Sequence, residues 1–285
     1  LDRLIVPDAI KTELAKAIRF MDVLEMLKKW CIEEINPHPR KILFFTGPSG
    51  VGKTFAAHAV ANAMNKPILS LPYSQIDSPY KAVGTKNCEA AFYAAMRDNA
   101  VLMFDECDSL VSTRLKSVSQ GSEHSINSMV NQILQGLDKF EGVAIFASNV
   151  TTIEDIDEAF RTRAWRIEFP MPHEDARKAL WERHFPSALP AVGTIDYEAL
   201  ACVEGFCGRD IRDAVEDAMI VAAMANQPGV SQQDLMDAVR RIEHGRPRLP
   251  KVLTKARDLT EAEKKEFAAK LSSQVSGSAV QKPNG

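Results

Sequence analysis

The segment from Gly47 to Thr54 has residue types and a spacing that predict chemistry. It spells GPSGVGKT and fits the pattern G-x-x-x-x-G-K-[ST]. Glycines let the backbone N–H groups of such a loop face phosphate oxygens, while Lys53 reaches the β- and γ-phosphates and the Thr54 hydroxyl ligates Mg²⁺. The intervening residues of the predicted loop are Pro48, Ser49, Gly50, Val51 and Gly52. The segment therefore predicts a site for a nucleotide and its magnesium ion.

Two acidic residues follow an apolar segment further along the chain. The run VLMFDE places Asp105 and Glu106 directly after residues 101–104. Ligands of open α/β sheets bind at the carboxyl ends of strands, so Asp105 is predicted to hold Mg²⁺, directly or through water. Glu106 is predicted to be the base that polarises an attacking water. Such a pair is also typical of a helix cap, but its place downstream of a phosphate loop favours hydrolysis.

Asn149 follows another apolar segment, VAIFASN, in the same manner. Its amide could hydrogen-bond the attacking water or the γ-phosphate. Taken alone, the segment fits a turn residue better. We therefore predict Asn149 as a third catalytic residue only in combination with Asp105 and Glu106.

These side chains require a sheet whose strands end at one edge. Five candidate strands, most of them apolar runs without polar alternation, are separated by segments with helical spacing. They are Ile42–Phe45, Pro67–Leu71, Val101–Phe104, Val143–Ala147 and Arg166–Phe169. Strands of this kind predict an α/β fold, in which a parallel five-stranded sheet is covered by helices on both faces.

The pattern changes after residue 172. Residues 173–247 are expected to be purely helical, and their last helix, Ser231–Glu243, opens with Ser231 as N-cap and Asp234 three positions later. The sequence therefore predicts a nucleotide-binding α/β domain over residues 1–172 and a small helical lid over 173–247. Residues 248–285 are predicted to form one charged helix and a disordered tail, because Ser, Gly and Pro accumulate at the end.

Composition excludes several functional classes. The chain has 285 residues, 45% of them hydrophobic, and a net charge of −3 from 35 basic and 38 acidic residues. This balance argues against a protein that binds nucleic-acid phosphates. No apolar run exceeds Ala218–Ala225, so neither a membrane span nor a signal peptide is expected, and the protein is predicted to be cytoplasmic. The five cysteines form no C-x-x-C pair and are expected to be small buried hydrophobes.

The phosphate loop, VLMFDE, FASN and the region from Asp157 to Arg163 together resemble an AAA+ ATPase module. The resemblance covers residues 1–245 and implies ATP and Mg²⁺ as ligands and a ring, usually a hexamer, as the assembly. It gives Asn149 the role of the family's first sensor residue. It makes Arg161 and Arg163 candidates for fingers that complete the neighbouring subunit's site, because a guanidinium offers a fixed charge to transition-state phosphate oxygens.

The resemblance extends to a pore loop. The segment SPYKAVGTKNCEAAF is similar to the loop that faces the central pore in AAA+ protein remodellers. Tyr80 stands where an aromatic residue that grips an extended polypeptide is expected, and Lys81 follows where the family usually has a hydrophobe. The alternative for Tyr80 is a packed core residue. Residues 111–125 are expected to form a second pore-facing loop.

Two further segments resemble the family's nucleotide contacts. GFCGRDIRDAV is similar to the second sensor region, which implies that Arg209 touches the γ-phosphate of its own subunit. An exposed arginine in the first turn of a helix is the alternative. The segment LDRLIVPDAIK is similar to the adenine side of protein-remodelling members, which implies that Ile5 and Val6 pack on the base.

IDEAFRTRA, and Arg209 after Gly208, look most like the pachytene-checkpoint subgroup, which remodels HORMA-domain proteins by pulling a terminal segment into the pore. Minimal bacterial members belong to antiviral nucleotide-signalling systems. The predicted function is thus an ATP-driven remodeller of a protein, acting as a homo-oligomeric ring. The alternatives are a general unfolding ATPase, a DNA-linked loader and a non-hydrolysing scaffold. Glu106 and Asn149 argue against the scaffold, and the charge balance argues against the loader.

Overall fold

The computed structural model of the chain describes residues 1, 3–72, 81–111, 121–152 and 156–245. The strands in these ranges are β1 (Arg40–Thr46), β2 (Ile68–Pro72), β3 (Val101–Asp105), β4 (Gly142–Ala147), β5 (Trp165–Glu168), β6 (Ala191–Val192) and β7 (Val230–Ser231). The longer helices are α1 (Asp8–Lys29), α3 (Lys53–Ala63), α4 (Lys81–Arg97), α6 (Gly121–Lys139), α8 (Glu174–His184), α10 (Gly208–Met224) and α11 (Gln232–Gly245). The shorter helices are α2 (Ile32–Ile35), α5 (Asp108–Val111), α7 (Glu158–Arg161) and α9 (Tyr197–Ala201).

Strands β1 to β5 form one parallel sheet in the order β2-β3-β4-β1-β5. Strand β1 pairs with the central strand β4 through Phe44 opposite Phe146, and with the edge strand β5 through Phe45 opposite Ile167. All five strands fall where the apolar segments predicted them. The prediction of a five-stranded parallel sheet with helices on both faces is confirmed.

Most strands have continuous apolar runs because both faces of the sheet are buried. In β1, Ile42 and Phe44 belong to one hydrophobic cluster, while Leu43 and Phe45 belong to another. Helices α4 and α6 supply the first cluster with residues such as Phe92, and α1 and α3 supply the second. Side chains of successive strand residues point to opposite faces, so a strand buried on both faces needs hydrophobes at consecutive positions. The edge strand β5 differs, because Ile167 is its one buried residue.

The region after the sheet has a hydrophobic cluster of its own. Trp181, Phe206, Ile211 and Leu235 lie at its centre. Ser231 and Asp234 form the predicted cap of α11, since the Asp234 carboxylate accepts from the Ser231 backbone N–H at 2.8 Å and the Ser231 hydroxyl accepts from the Asp234 N–H at 3.2 Å. Besides the helices, this region contains the two-residue parallel pair of β6 and β7, which the helical pattern did not predict.

Residues Leu1–Glu243 form one compact unit, and a second unit begins at His244, of which only two residues are described. The predicted domain boundaries at residues 172 and 247 stay predictions. The predicted helix and tail over 248–285 lie outside the described residues. No helix in the described ranges is long and apolar enough to cross a lipid bilayer.

Residues 8–35 form two helices. α1 ends at Lys29, and Cys31 adopts a left-handed φ of 61° before α2 begins. All five cysteines are free. Cys88, Cys107 and Cys207 are buried as expected, whereas Cys31 and Cys202 are exposed, so the expectation of buried cysteines was wrong for these two.

Candidate active site

The phosphate loop joins the carboxyl end of β1 to the first residue of α3, which is Lys53. Three glycines give the loop its path: Gly47, Gly50 and Gly52 have φ values of 136°, 82° and 98°. Residues with a Cβ rarely adopt such angles, so glycine is required here. At Gly47 there is a second reason, because a Cβ would overlap the carbonyl oxygen of Phe169.

Lys53 is held across the loop. Its ammonium donates hydrogen bonds to the carbonyl oxygens of Gly47 and Pro48, both at 2.7 Å, and to Asn149 Oδ1 at 3.0 Å. The residue is only 8% exposed. Burial lowers the pKa of Lys53 below its ordinary value, and the carboxylates of Asp108 and Asp105 oppose part of that shift.

Thr54 and Asp105 form the part of the site that fits a magnesium ion. Thr54 Oγ1 donates to Asp105 Oδ2 at 3.0 Å, although the two residues are 51 positions apart. Oxygen ligands of this kind suit Mg²⁺, which often binds through one or two carboxylates and keeps water and phosphate for the rest. Within the described ranges, no group of three or more His, Cys, Asp and Glu side chains is arranged to hold a metal ion.

Glu106 has an unusual backbone conformation. It follows β3 directly with a φ of 53°, and its N–H donates to Asp105 Oδ1 at 2.9 Å. Its side chain is exposed at the edge of the same cavity as Asp105. A left-handed glutamate costs conformational energy, and such residues cluster at functional sites.

Asn149 lies two residues beyond β4, beside Lys53 and the acidic pair. Its backbone and its side-chain amide both donate to the carboxylate of Asp108, at 2.5 and 3.1 Å. Sequence reasoning did not find Asp108 among the functional residues. The available signal was the spacing D-E-C-D, which places a third acid at the start of a helix close to the catalytic pair.

Arg209 reaches the loop from the region after the sheet. Its guanidinium donates to Ser49 Oγ at 3.0 Å, and its backbone N–H donates to the carbonyl of Gly50 at 3.3 Å. Cys207, two residues earlier, lies against Gly50, where a Cβ would overlap the Cys207 sulfur. The cationic side chain of Arg209 therefore stands beside the loop that is predicted to hold phosphates.

A cavity of about 600 Å³ lies at this edge of the sheet. Twelve of the predicted site residues line it: Ile5, Val6, Ser49, Gly50, Val51, Gly52, Lys53, Thr54, Asp105, Glu106, Asn149 and Arg209. Pro48 does not line it and contributes its carbonyl to Lys53. Further lining residues that the sequence did not indicate include His173, Leu180 and Arg183. A cavity of this size, lined by both apolar and polar residues, can hold a nucleotide.

The two finger candidates do not line this cavity. Arg163 donates to Asp138 Oδ1 at 3.3 Å and to the carbonyl of Ala159 at 3.2 Å. Arg161 is exposed at the end of α7. Asp138 also pairs with Arg40, the first residue of β1, whereas the phosphate loop follows the other end of that strand.

The pore-loop residues are not part of this geometry. Tyr80 lies outside the described residues, as does most of the expected second loop over 111–125. Lys81 is the first residue of α4, and its side chain is likewise not described.

The parallel sheet, the glycine loop and the lysine that opens α3 define a P-loop nucleoside triphosphatase fold. Comparison with known proteins gives the family. Residues 43–171 match the "ATPase family associated with various cellular activities (AAA)", so this part of the chain is an AAA-family ATPase domain.

The similarity to individual proteins extends beyond that domain. Over 228 residues the chain is 31% identical to the proteasome-activating nucleotidase of Methanothermobacter thermautotrophicus, an alignment that covers 77% of this chain and 55% of that protein. It is 31% identical over 217 residues to the ATP-dependent zinc metalloprotease FtsH of Parabacteroides distasonis, with 73% and 31% covered. It is 29% identical over 215 residues to the 26S proteasome regulatory subunit S10B homolog B of Arabidopsis thaliana, with 73% and 53% covered. The chain thus spans about half of these relatives' length, or less.

Proposed function

We propose that the protein hydrolyses ATP and couples hydrolysis to the remodelling of other proteins. The observation that carries this proposal is the convergence of Lys53, Thr54, Asp105, Glu106 and Asn149 beside one cavity at the carboxyl edge of the sheet. A lysine, a hydroxyl, two carboxylates and an amide together meet the needs of phosphate binding, metal binding and water activation.

ATP binding uses the loop and its surroundings. The triphosphate lies along residues 47–54, where backbone N–H groups and the start of α3 favour negative charge. Lys53 exchanges its carbonyl partners for phosphate oxygens. Ile5 and Val6 contact the base, and Arg209 contributes its charge from beside Ser49. Thr54 and Asp105 hold Mg²⁺, which neutralises charge on the β- and γ-phosphates when it is bound.

Hydrolysis uses the two residues that follow strands. Glu106 orients a water molecule toward the γ-phosphate and accepts its proton. Asn149, whose amide oxygen accepts from Lys53 at 3.0 Å, offers that oxygen as an acceptor for a hydrogen bond from the attacking water. A metal-binding carboxylate and the base are therefore contributed by the adjacent residues Asp105 and Glu106, both of which line the cavity.

The site is completed by a second subunit in this proposal. The family resemblance gives Arg161 and Arg163 a role in the neighbouring site, and neither of them lines the cavity of its own chain. A ring of identical subunits, as in a hexamer, provides each cavity with the arginines of the next chain. In related GTPases such an arginine accelerates hydrolysis by about three to five orders of magnitude.

The substrate is proposed to be a protein. The relatives, which include a proteasome-activating nucleotidase and an ATP-dependent zinc metalloprotease, support this class. Tyr80 is proposed to grip an extended segment of the substrate. The finer assignment to a HORMA-domain protein rests on Arg163 before Ala164 and on Arg209 after Gly208.

The proposal is tested by phosphate release from ATP with the wild-type chain and Glu106→Gln. Loss of the base is expected to lower kcat by about 10²- to 10⁴-fold, because general-base catalysis contributes that much. ATP affinity should be unchanged. The matched control is Glu216→Gln, which alters an exposed glutamate of α10 away from the cavity and should hydrolyse ATP normally.

Equal kcat for Glu106→Gln and the wild type would contradict the catalytic role. The same assay, with a HORMA-domain protein or an unfolded-tail protein added in turn, separates the two substrate classes. Stimulation by the HORMA-domain protein alone supports the finer assignment, and stimulation by both supports a general unfolding ATPase. Stimulation by DNA instead would favour a DNA-linked loader.

A further inference from the structure

Asp108 forms hydrogen bonds to the proposed catalytic residue Asn149. It opens the short helix α5, three positions after Asp105, and it does not line the cavity. Its Oδ1 accepts from the Ser148 hydroxyl and from the Asn149 backbone N–H, both at 2.5 Å. Its Oδ2 accepts from the Asn149 side-chain Nδ2 at 3.1 Å. One carboxylate thus holds both the backbone and the side chain of Asn149.

The amide of Asn149 lies between two charged groups of opposite sign. Its Nδ2 faces the Asp108 carboxylate, and its Oδ1 accepts from the Lys53 ammonium at 3.0 Å. The reversed amide would set NH₂ against the ammonium and the carbonyl oxygen against the carboxylate. Both contacts would be repulsive, since an ammonium only donates and a carboxylate only accepts. The two charges therefore impose one amide orientation.

Asp108, Asn149 and Lys53 therefore form one chain of hydrogen bonds, which leads from the start of α5 to the phosphate loop.

We propose that Asp108 is a positioning residue for ATP hydrolysis, which fixes the Asn149 amide with its oxygen toward Lys53 and the γ-phosphate end of the cavity. The inference rests on the proposed function. Asp108 transfers no proton and touches no reacting atom. Its effect passes through Asn149, so the effects of changing the two residues must be coupled.

Asp108→Asn tests this role with little change in shape. The new NH₂ group would face Asn149 Nδ2 and favour the reversed amide. We expect kcat for ATP to fall by about 10- to 100-fold, the size of effect that a misplaced catalytic group produces. The affinity for ATP should stay within about twofold, because the backbone N–H groups of the loop, Thr54 and Asp105 are unaltered.

Coupling gives the readout that a merely structural role would not produce. In the Asn149→Ala background, Asp108→Asn should lower kcat no further, since its target is gone. The matched control is Asp196→Asn, which removes the carboxylate that caps α9. The Asp196 carboxylate accepts from the Ala199 N–H at 3.0 Å. It should reduce stability without changing kcat. Should Asp108→Asn fail to fold, Ser148→Ala removes one donor to the same carboxylate, and its smaller loss of kcat must likewise vanish in Asn149→Ala.

The inference fails if Asp108→Asn keeps the wild-type kcat, or if its loss adds in full to that of Asn149→Ala. Failure of the proposed function looks different. In that case Glu106→Gln and Asn149→Ala would also leave phosphate release unchanged.

Discussion

At the residue scale, Glu106 combines a functional position with an unfavourable backbone. Its φ of 53° lies in the left-handed region, where an L-residue other than glycine loses about 1 kcal/mol or more. The neighbouring contacts fix it there, since the N–H of Glu106 binds Asp105 and the N–H of Cys107 binds the carbonyl of Ala147 at 3.0 Å. The strand end therefore turns sharply enough for two adjacent acids to serve different purposes.

This strain predicts an unusual response to glycine. Glu106→Gly should leave the free energy of unfolding within about 0.5 kcal/mol of wild type, because relief of the left-handed strain offsets the added chain entropy of glycine. Glu216→Gly, in the middle of α10, should lose about 1 kcal/mol. Urea unfolding without nucleotide measures both. Phosphate release should be lost in the first variant and kept in the second. Equal destabilisation of the two variants would show that no strain is stored at Glu106.

At the scale of elements, the phosphate loop is packed unevenly against its neighbours. Gly47 lies against the backbone of Phe169, which follows β5, and Gly50 lies against Cys207 at the start of α10. Gly52 has nothing within 4 Å of the position that a Cβ would take. The loop is thus in contact with the residue after β5 at Gly47 and with the start of α10 at Gly50. At Gly52 only the backbone conformation requires a glycine.

The packing predicts different costs for the same substitution. Gly47→Ala should lower the free energy of unfolding by about 2–5 kcal/mol, because the methyl group meets a backbone carbonyl that cannot move alone. Gly52→Ala should cost about 1–2 kcal/mol from backbone strain. Urea unfolding of the nucleotide-free proteins measures the difference. Equal losses would mean that the Phe169 contact yields at little cost.

Whether a feature of the fold or the site can be predicted depends on how far apart in the sequence the residues that form it lie. Most strands and the phosphate loop can be predicted from local sequence, through apolar runs and a fixed motif. The hydrogen bonds of Asp108 to Asn149 cannot be predicted in this way, because the two residues are 41 positions apart. The end of α1 depends on one left-handed residue, Cys31, whose type gives no such signal. The pair of β6 and β7 is two residues long in each strand, too short for a pattern.

At the scale of the whole molecule, neither Arg161 nor Arg163 lines the cavity of its own chain. Arg163 and Arg40 share Asp138, and Arg40 opens β1. The phosphate loop begins at the other end of this seven-residue strand, roughly 20 Å away at 3.3 Å per residue. In the proposed ring, an arginine at the amino edge of its own sheet would serve another subunit's nucleotide. A shared site of this kind makes activity a property of the interface between subunits.

Mixing two inactive variants tests that sharing. Glu106→Gln lacks the base in its own cavity, and Arg163→Ala lacks the arginine that it would offer to a neighbour. Each should hydrolyse ATP poorly alone. In rings assembled from equal amounts, about a quarter of the interfaces pair an intact glutamate with an intact arginine, so phosphate release should recover to about that fraction.

The matched control mixes Glu106→Gln with Asn149→Ala, whose defects fall in the same cavity, and should recover nothing. If the Arg163→Ala mixture also stays inactive while mixed rings form, Arg163 does not act across the interface, and Arg161→Ala in the same mixture then tests the remaining candidate.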